Sequence, residues 1–189
     1  MVEPAEARLI VFTDRRQAER PLDEVIAGAI DGGVRVVVLR EHDLPPRRRL
    51  RLAAALRTRL DQVGGRLLLE EDATVAKCHS LEELVAASTA ASTSTSTSTS
   101  TSTSTSVEYA TLSPIFATRS KPGYGPPLGL AALGRMAMAA PLPVYALGGV
   151  DTPARVRLCL DEGAAGAAVM GAVMRAEDPA RLVKEMLTA

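Results

Sequence analysis

The chain has no tryptophan, only 3% aromatic residues, two cysteines, two histidines and no net charge, with 22 basic side chains against 22 acidic ones in 189 residues. Each shortage closes a class of function. Balanced charge excludes a dedicated binder of nucleic acid or anionic membrane, which needs a basic excess. Scarce aromatics argue against a base-stacking platform. Cys78 and Cys159 stand far apart and make no ligand pair for a metal, so both read as free thiols of a reducing compartment. No apolar run approaches the roughly 20 residues of a membrane span. Met1–Arg8 carries acidic residues, where a secretion signal would be basic and then apolar. The expectation is a soluble cytoplasmic protein.

What remains is a chain that is 47% hydrophobic, enough to bury one sizeable core, and a single domain over residues 1–189 is expected. Short apolar runs alternate with helical patterns, the signature of parallel β/α units. Leu9–Asp14, Val34–Glu41, Arg66–Asp72, Val107–Phe116, Pro143–Val150 and Ala167–Val173 read as strands. Pro21–Ile30 and Arg47–Val63 read as helices, each closed by a glycine pair. The pattern favours a barrel over an open doubly wound sheet, although six strands are visible where a closed barrel takes eight. Between Ala76 and Ser80 there is no room for another strand–helix unit. Ser92–Ser106 is a strict Ser/Thr alternation with no apolar face. It reads as a low-complexity loop or, the favoured alternative, as a stretch in which Ser and Thr stand for residues never identified. No site residue is taken from it.

Every predicted strand ends in polar, Gly or turn residues, and parallel β/α proteins place their chemistry at those ends. Gly148, Gly149 and Gly171 close the last two strands. Glycines let backbone N–H groups approach an anion, and a phosphate commonly sits between these loops in β/α barrels. Tight turns and close packing are the competing explanation. Thr118, Ser120 and Lys121 put two hydroxyls and an ammonium on another strand-end loop, a further set of phosphate donors. Arg40 ends the second strand, where it either binds an anion or pairs with Glu41 or Asp72. His79 precedes a helix capped by Ser80 with Glu83 and could move a proton near neutral pH. Glu70, Glu71 and Asp72 are candidate Mg²⁺ carboxylates, of which at most alternate ones cooperate on a strand. The Arg47–Arg51 run reads as a solvated helix face.

The segments LIVFTDRR, VVVLREHD, LLLEED, CHSLEEL, YATLSPIFATRSKPGYGPPLG, PVYALGGV and AAVMGAV resemble, in order, the thiamine phosphate synthase and thiazole tautomerase family. The resemblance implies a (β/α)₈ barrel, with strands four and five poorly represented, that binds a thiazole phosphate. By that resemblance Thr118, Ser120, Gly148 or Gly149, Met170 and Gly171 hold the phosphate, Lys121 and Arg40 face a pyrimidine diphosphate, and Asp72 is a Mg²⁺ ligand. The chain departs from the synthase pattern at Val38 and His42, where synthases typically have Gln and Lys, and at Glu71, where they have Asn. Those departures make a thiazole tautomerase the leading expectation: His79 shuttles the proton, Arg40 steadies the substrate carboxylate and no cofactor is needed. The alternative is the Mg²⁺-dependent thiamine-phosphate synthase. A third reading is a non-catalytic regulatory barrel that binds a thiamine precursor. A homodimer is consistent with barrels of this kind, and no nucleic-acid or membrane partner is expected.

Overall fold

The computed structural model describes residues 7–72, 75–92, 107–118 and 126–189, with only the backbone at residues 72 and 88–92. Seven four-residue strands form one parallel sheet: β1 (Leu9–Phe12), β2 (Val36–Leu39), β3 (Arg66–Leu69), β4 (Val75–Cys78), β5 (Tyr109–Leu112), β6 (Val144–Leu147) and β7 (Gly166–Val169). Their order is β3-β2-β1-β7-β6-β5-β4. Seven helices accompany them among the described residues: α1 (Leu22–Asp31), α2 (Pro46–Gln62), α3 (Leu81–Ser92), α4 (Leu130–Ala139), α5 (Pro153–Asp161), α6 (Gly171–Met174) and α7 (Pro179–Leu187). No described helix is long and apolar enough to cross a membrane.

Two apolar clusters explain the near-continuous Val and Leu runs. Successive side chains of a strand point to opposite faces. Ile10, Phe12, Val36, Val38, Leu68, Tyr109, Tyr145 and Ala168 gather on one face. Their neighbours Leu9, Val11, Val37, Leu39, Leu67, Ala110, Leu112, Val144 and Ala146 join the helices on the other. Strands buried on both sides need apolar residues at every position. Leu68 of β3 and Tyr109 of β5 share the first cluster, so the sheet curls into a half-barrel. Tyr109 and Tyr145 meet edge to face with ring centroids 5.1 Å apart, and the Tyr145 hydroxyl donates to the Ala7 carbonyl at 2.5 Å.

The expected eight-stranded closed barrel is corrected here. Among the described residues β3 pairs only with β2, and β4 only with β5. Only residues 70–74 separate β3 from β4, whereas parallel neighbours need a crossover of roughly a dozen residues or more. The ladder therefore cannot continue from β3 to β4. Among the described residues two ion pairs cross from β3 instead: Arg66 to Glu108, just before β5, at 3.1 Å, and Glu70 to Lys77 of β4. The strand expected through Asp72 ends at Leu69 and gives way to a 3₁₀ turn, Glu70–Asp72. β4 is a strand that the sequence reading passed over.

Side-chain caps start several helices, the expected one at Ser80 among them. Thr152 caps α5 by accepting from the Arg155 N–H at 3.2 Å, and Asp178 caps α7 by accepting from Arg181 N–H at 2.9 Å. Ser80 Oγ accepts from the Glu83 N–H at 3.2 Å, while the Glu83 carboxylate turns back to the His79 N–H at 2.6 Å. The Ser/Thr tract, from residue 93 to 106, lies outside the described residues.

Candidate functional site

The carboxyl ends of the strands surround a cavity of about 230 Å³. Phe12, Thr111, Leu147, Ala168 and Val169 form its apolar and hydroxylated floor, and loops after the strands supply the rest. Of the residues singled out from sequence, the cavity lining includes Arg40, Thr118, Gly148, Gly149, Met170 and Gly171. Ser120 and Lys121 lie outside the described residues, as does the side chain of Asp72.

Gly148 and Gly149 take left-handed φ values of +87° and +68°, a conformation that L side chains rarely adopt. They also sit hard against the loop after β5. A Cβ on Gly148 would stand 2.8 Å from Pro114 Cα, and one on Gly149 2.5 Å from the Ala117 carbonyl. The Phe116 N–H donates to the Gly148 carbonyl at 2.9 Å. Close packing thus accounts for both glycines, and the same packing brings Thr118 beside them at the cavity wall. Asp151 is paired to Arg155 at 2.7 Å, and that guanidinium stacks over Phe116.

At the end of β2 Arg40 pairs with Glu70 rather than with Glu41, and the Asp72 side chain lies outside the described residues. The Arg40 Nε donates to Glu70 at 3.2 Å and its Nη1 to the Met170 sulfur at 2.9 Å. Glu41 is buried and paired to Arg15. Glu70, whose side chain is 9% exposed, also receives Lys77 and His42. Burial by itself raises the Glu70 pKa, but the hydrogen bonds from Lys77 and His42 and the charge of Arg40 outweigh it and bring the group to about 2. Glu71 faces Arg49, 2.6 Å away, and its pKa is likewise lowered by that hydrogen bond. Both described carboxylates of the acidic run are therefore engaged by cations, and no cluster of three metal-ligating side chains occurs among the described residues. They do not make a cage for Mg²⁺.

His79 does not line the cavity. Its Nδ1 lies 2.7 Å from the Ser113 carbonyl and 3.3 Å from the Ser113 hydroxyl, so Nδ1 carries a proton toward the backbone. Ser113 itself does reach the cavity wall. Glu70, a candidate Mg²⁺ carboxylate by sequence, lines the cavity as a partner of cations instead. Sequence reading missed the lining cations Lys77 and Arg175, and Lys77 lies in the overlooked strand β4. Arg175 follows Gly171 by four residues, one helical turn, which is the one spacing that could have pointed to it.

The thiamine monophosphate synthase family profile matches residues 9–84 and 79–173. The chain is 32% identical to the thiamine-phosphate synthase of Roseiflexus castenholzii, over 89% of this chain and 82% of that relative. It is 28% identical to the thiamine-phosphate synthase of Moorella thermoacetica, over 95% and 94%. The solved thiamine phosphate pyrophosphorylase from Pyrococcus furiosus shares the fold with a TM-score of 0.77 at 22% identity, covering 97% of this chain and 95% of that one. These relatives overturn the leading expectation of a thiazole tautomerase and favour its alternative. The substitutions at Val38 and His42 had suggested a lost diphosphate site, but Lys77 supplies a cation beside Arg40 that strand two alone does not reveal. The chain belongs to the thiamine monophosphate synthase family.

Proposed function

We propose that the protein is a thiamine-phosphate synthase, a transferase that joins a pyrimidine methyl diphosphate to a thiazole phosphate. The naming of its relatives carries this reading, and the cavity is consistent with it. Two substrates bearing phosphate groups call for two cationic or donor-rich flanks. One flank holds Gly148, Gly149, Thr118, Met170 and Gly171, and the other holds Arg40 and Lys77. The first would hold the thiazole phosphate, with Ser120 assisting. The second would receive the diphosphate, with Lys121 assisting.

In the reaction the thiazole ring nitrogen forms a bond to the pyrimidine methylene carbon as the carbon–oxygen bond to diphosphate breaks. The leaving group departs with the electron pair. Fixed cations at that oxygen lower the barrier because they interact more strongly with the charge as it develops. Binding the remote thiazole phosphate positions the nucleophilic nitrogen and reduces the entropic part of the barrier. The apolar floor around Phe12 and Leu147 excludes water from the reacting carbon. The resemblance implies Mg²⁺ as the metal of the reaction, with Asp72 as a ligand.

The test is direct: supply both substrates with Mg²⁺ and measure thiamine phosphate formed per enzyme. Product that requires both substrates is expected. Protein that binds thiazole phosphate yet forms no product under these conditions would refute the assignment.

A further inference from the structure

We infer that Arg175 is the cation that binds the phosphate monoester in this cavity, its guanidinium occupying the space left by the missing side chain of Gly171. The identity of that ester as a thiazole phosphate rests on the function proposed above; the anion site itself does not.

Among the described residues three cationic side chains line the cavity: Arg40, Lys77 and Arg175. The first two share the Glu70 carboxylate. Arg175 pairs with no carboxylate among the described residues. Its Nη1 donates to Gln17 Oε1, and Gln17 Nε2 in turn donates to Asp14 at 2.6 Å. That amide orients the guanidinium without neutralising it. The other two nitrogens have no protein partner among the described residues. An arginine offers five donors in a rigid fork suited to phosphate oxygens, and this one lines a cavity also rimmed by Gly148, Gly149 and Gly171.

Gly171 gives the second, independent observation. A Cβ there would lie 2.6 Å from Arg175 Nη1, 2.7 Å from Nη2 and 2.7 Å from Gln17 Oε1. The guanidinium can enter only because residue 171 has no side chain. The three nearest atoms are all tips of flexible side chains, so an added methyl group would displace those tips first. Gly171 and Arg175 are also joined through the backbone, Arg175 N–H to Gly171 carbonyl at 3.1 Å, so the residue that opens the space and the residue that fills it move as one unit.

The experiment titrates inorganic phosphate, and then thiazole phosphate, into the wild-type protein, Arg175→Ala, Arg175→Lys and Gly171→Ala, with thermal unfolding as the check on folding. Loss of a charged hydrogen-bonding partner predicts about a tenfold or greater weakening for Arg175→Ala, partial recovery in Arg175→Lys, and weakening in Gly171→Ala although its charge is unchanged. Pyrophosphate affinity should change less than phosphate affinity. The inference is overturned if wild-type protein binds no phosphate at millimolar concentration, or if Arg175→Ala or Gly171→Ala binds it as tightly as wild type. Arg175-dependent phosphate binding in a protein that makes no thiamine phosphate would leave this site standing and remove only the synthase reading.

Discussion

The two flanks of the cavity handle charge in opposite ways. On one, the Arg40 and Lys77 cations converge on the buried carboxylate of Glu70, beside the His42 ring, so they already hold an anion before any ligand arrives. On the other, Arg175 is oriented by a neutral amide and has no carboxylate partner among the described residues. An anion at the first flank would compete with Glu70, whereas no described carboxylate would oppose one beside Arg175. Internal pairing also has a structural use, because the Glu70–Lys77 bridge spans the break between β3 and β4 that no ladder closes. The charged side of the cavity thus also links β3 to β4 through Glu70 and Lys77.

The largest effect should come from crowding the glycine flank. Gly149→Val places a branched side chain at positive φ against the Ala117 carbonyl and Phe116. It should cost about 2–5 kcal/mol of stability, read by denaturant unfolding, and abolish thiazole phosphate binding. On the other flank, Arg40→Ala should lower kcat for thiamine phosphate formation by roughly 10²–10³-fold, with little change in the KM for thiazole phosphate. An equal rise in that KM would blur the division between flanks.

Glu70→Gln sharpens the comparison, since it removes the internal competitor and keeps the shape. Pyrophosphate should bind more tightly to this variant, and stability should fall by about 1–2 kcal/mol through loss of a hydrogen-bonded charge that its partially exposed partners screen. The pH dependence has a definite sign. Because folding lowers the Glu70 pKa from 4.5 to about 2, its contribution is present above pH 4.5 and is lost as pH falls through about 2. Acid unfolding of Glu70→Gln should show a smaller loss across that window than wild type. The smallest effect belongs to His79→Ala: the ring does not line the cavity, so thiamine phosphate formation should stay within about threefold of wild type, as for a substitution worth a few tenths of a kcal/mol.

The fold class was legible because Val36–Leu39 and Leu9–Phe12 are apolar at consecutive positions, which only a strand buried on both faces requires. Val75–Cys78 was not legible. It is four residues long, contains Lys77 and exposes part of itself at the sheet edge, so neither length nor alternation distinguishes it from a loop. Closure of the barrel was expected from resemblance to proteins that carry a further strand–helix unit, and only the short 70–74 connection shows why this sheet stays open. The glycine flank could be read from sequence because positive-φ turns demand glycine. On the charged flank Arg40 and Glu70 were named from sequence, but neither their pairing nor Lys77 was, because the proximity of three different strands depends on the order of the sheet. Arg175 was hidden for a different reason: its significance lies in the side chain that Gly171 lacks.

The separation of the flanks is tested most directly by titrating pyrophosphate into protein saturated with thiazole phosphate, following heat and stoichiometry. The account predicts that both bind at once, with pyrophosphate affinity raised by Glu70→Gln and thiazole phosphate affinity lowered by Arg175→Ala. Displacement of thiazole phosphate by pyrophosphate, one for one, would show a single anion site and contradict it.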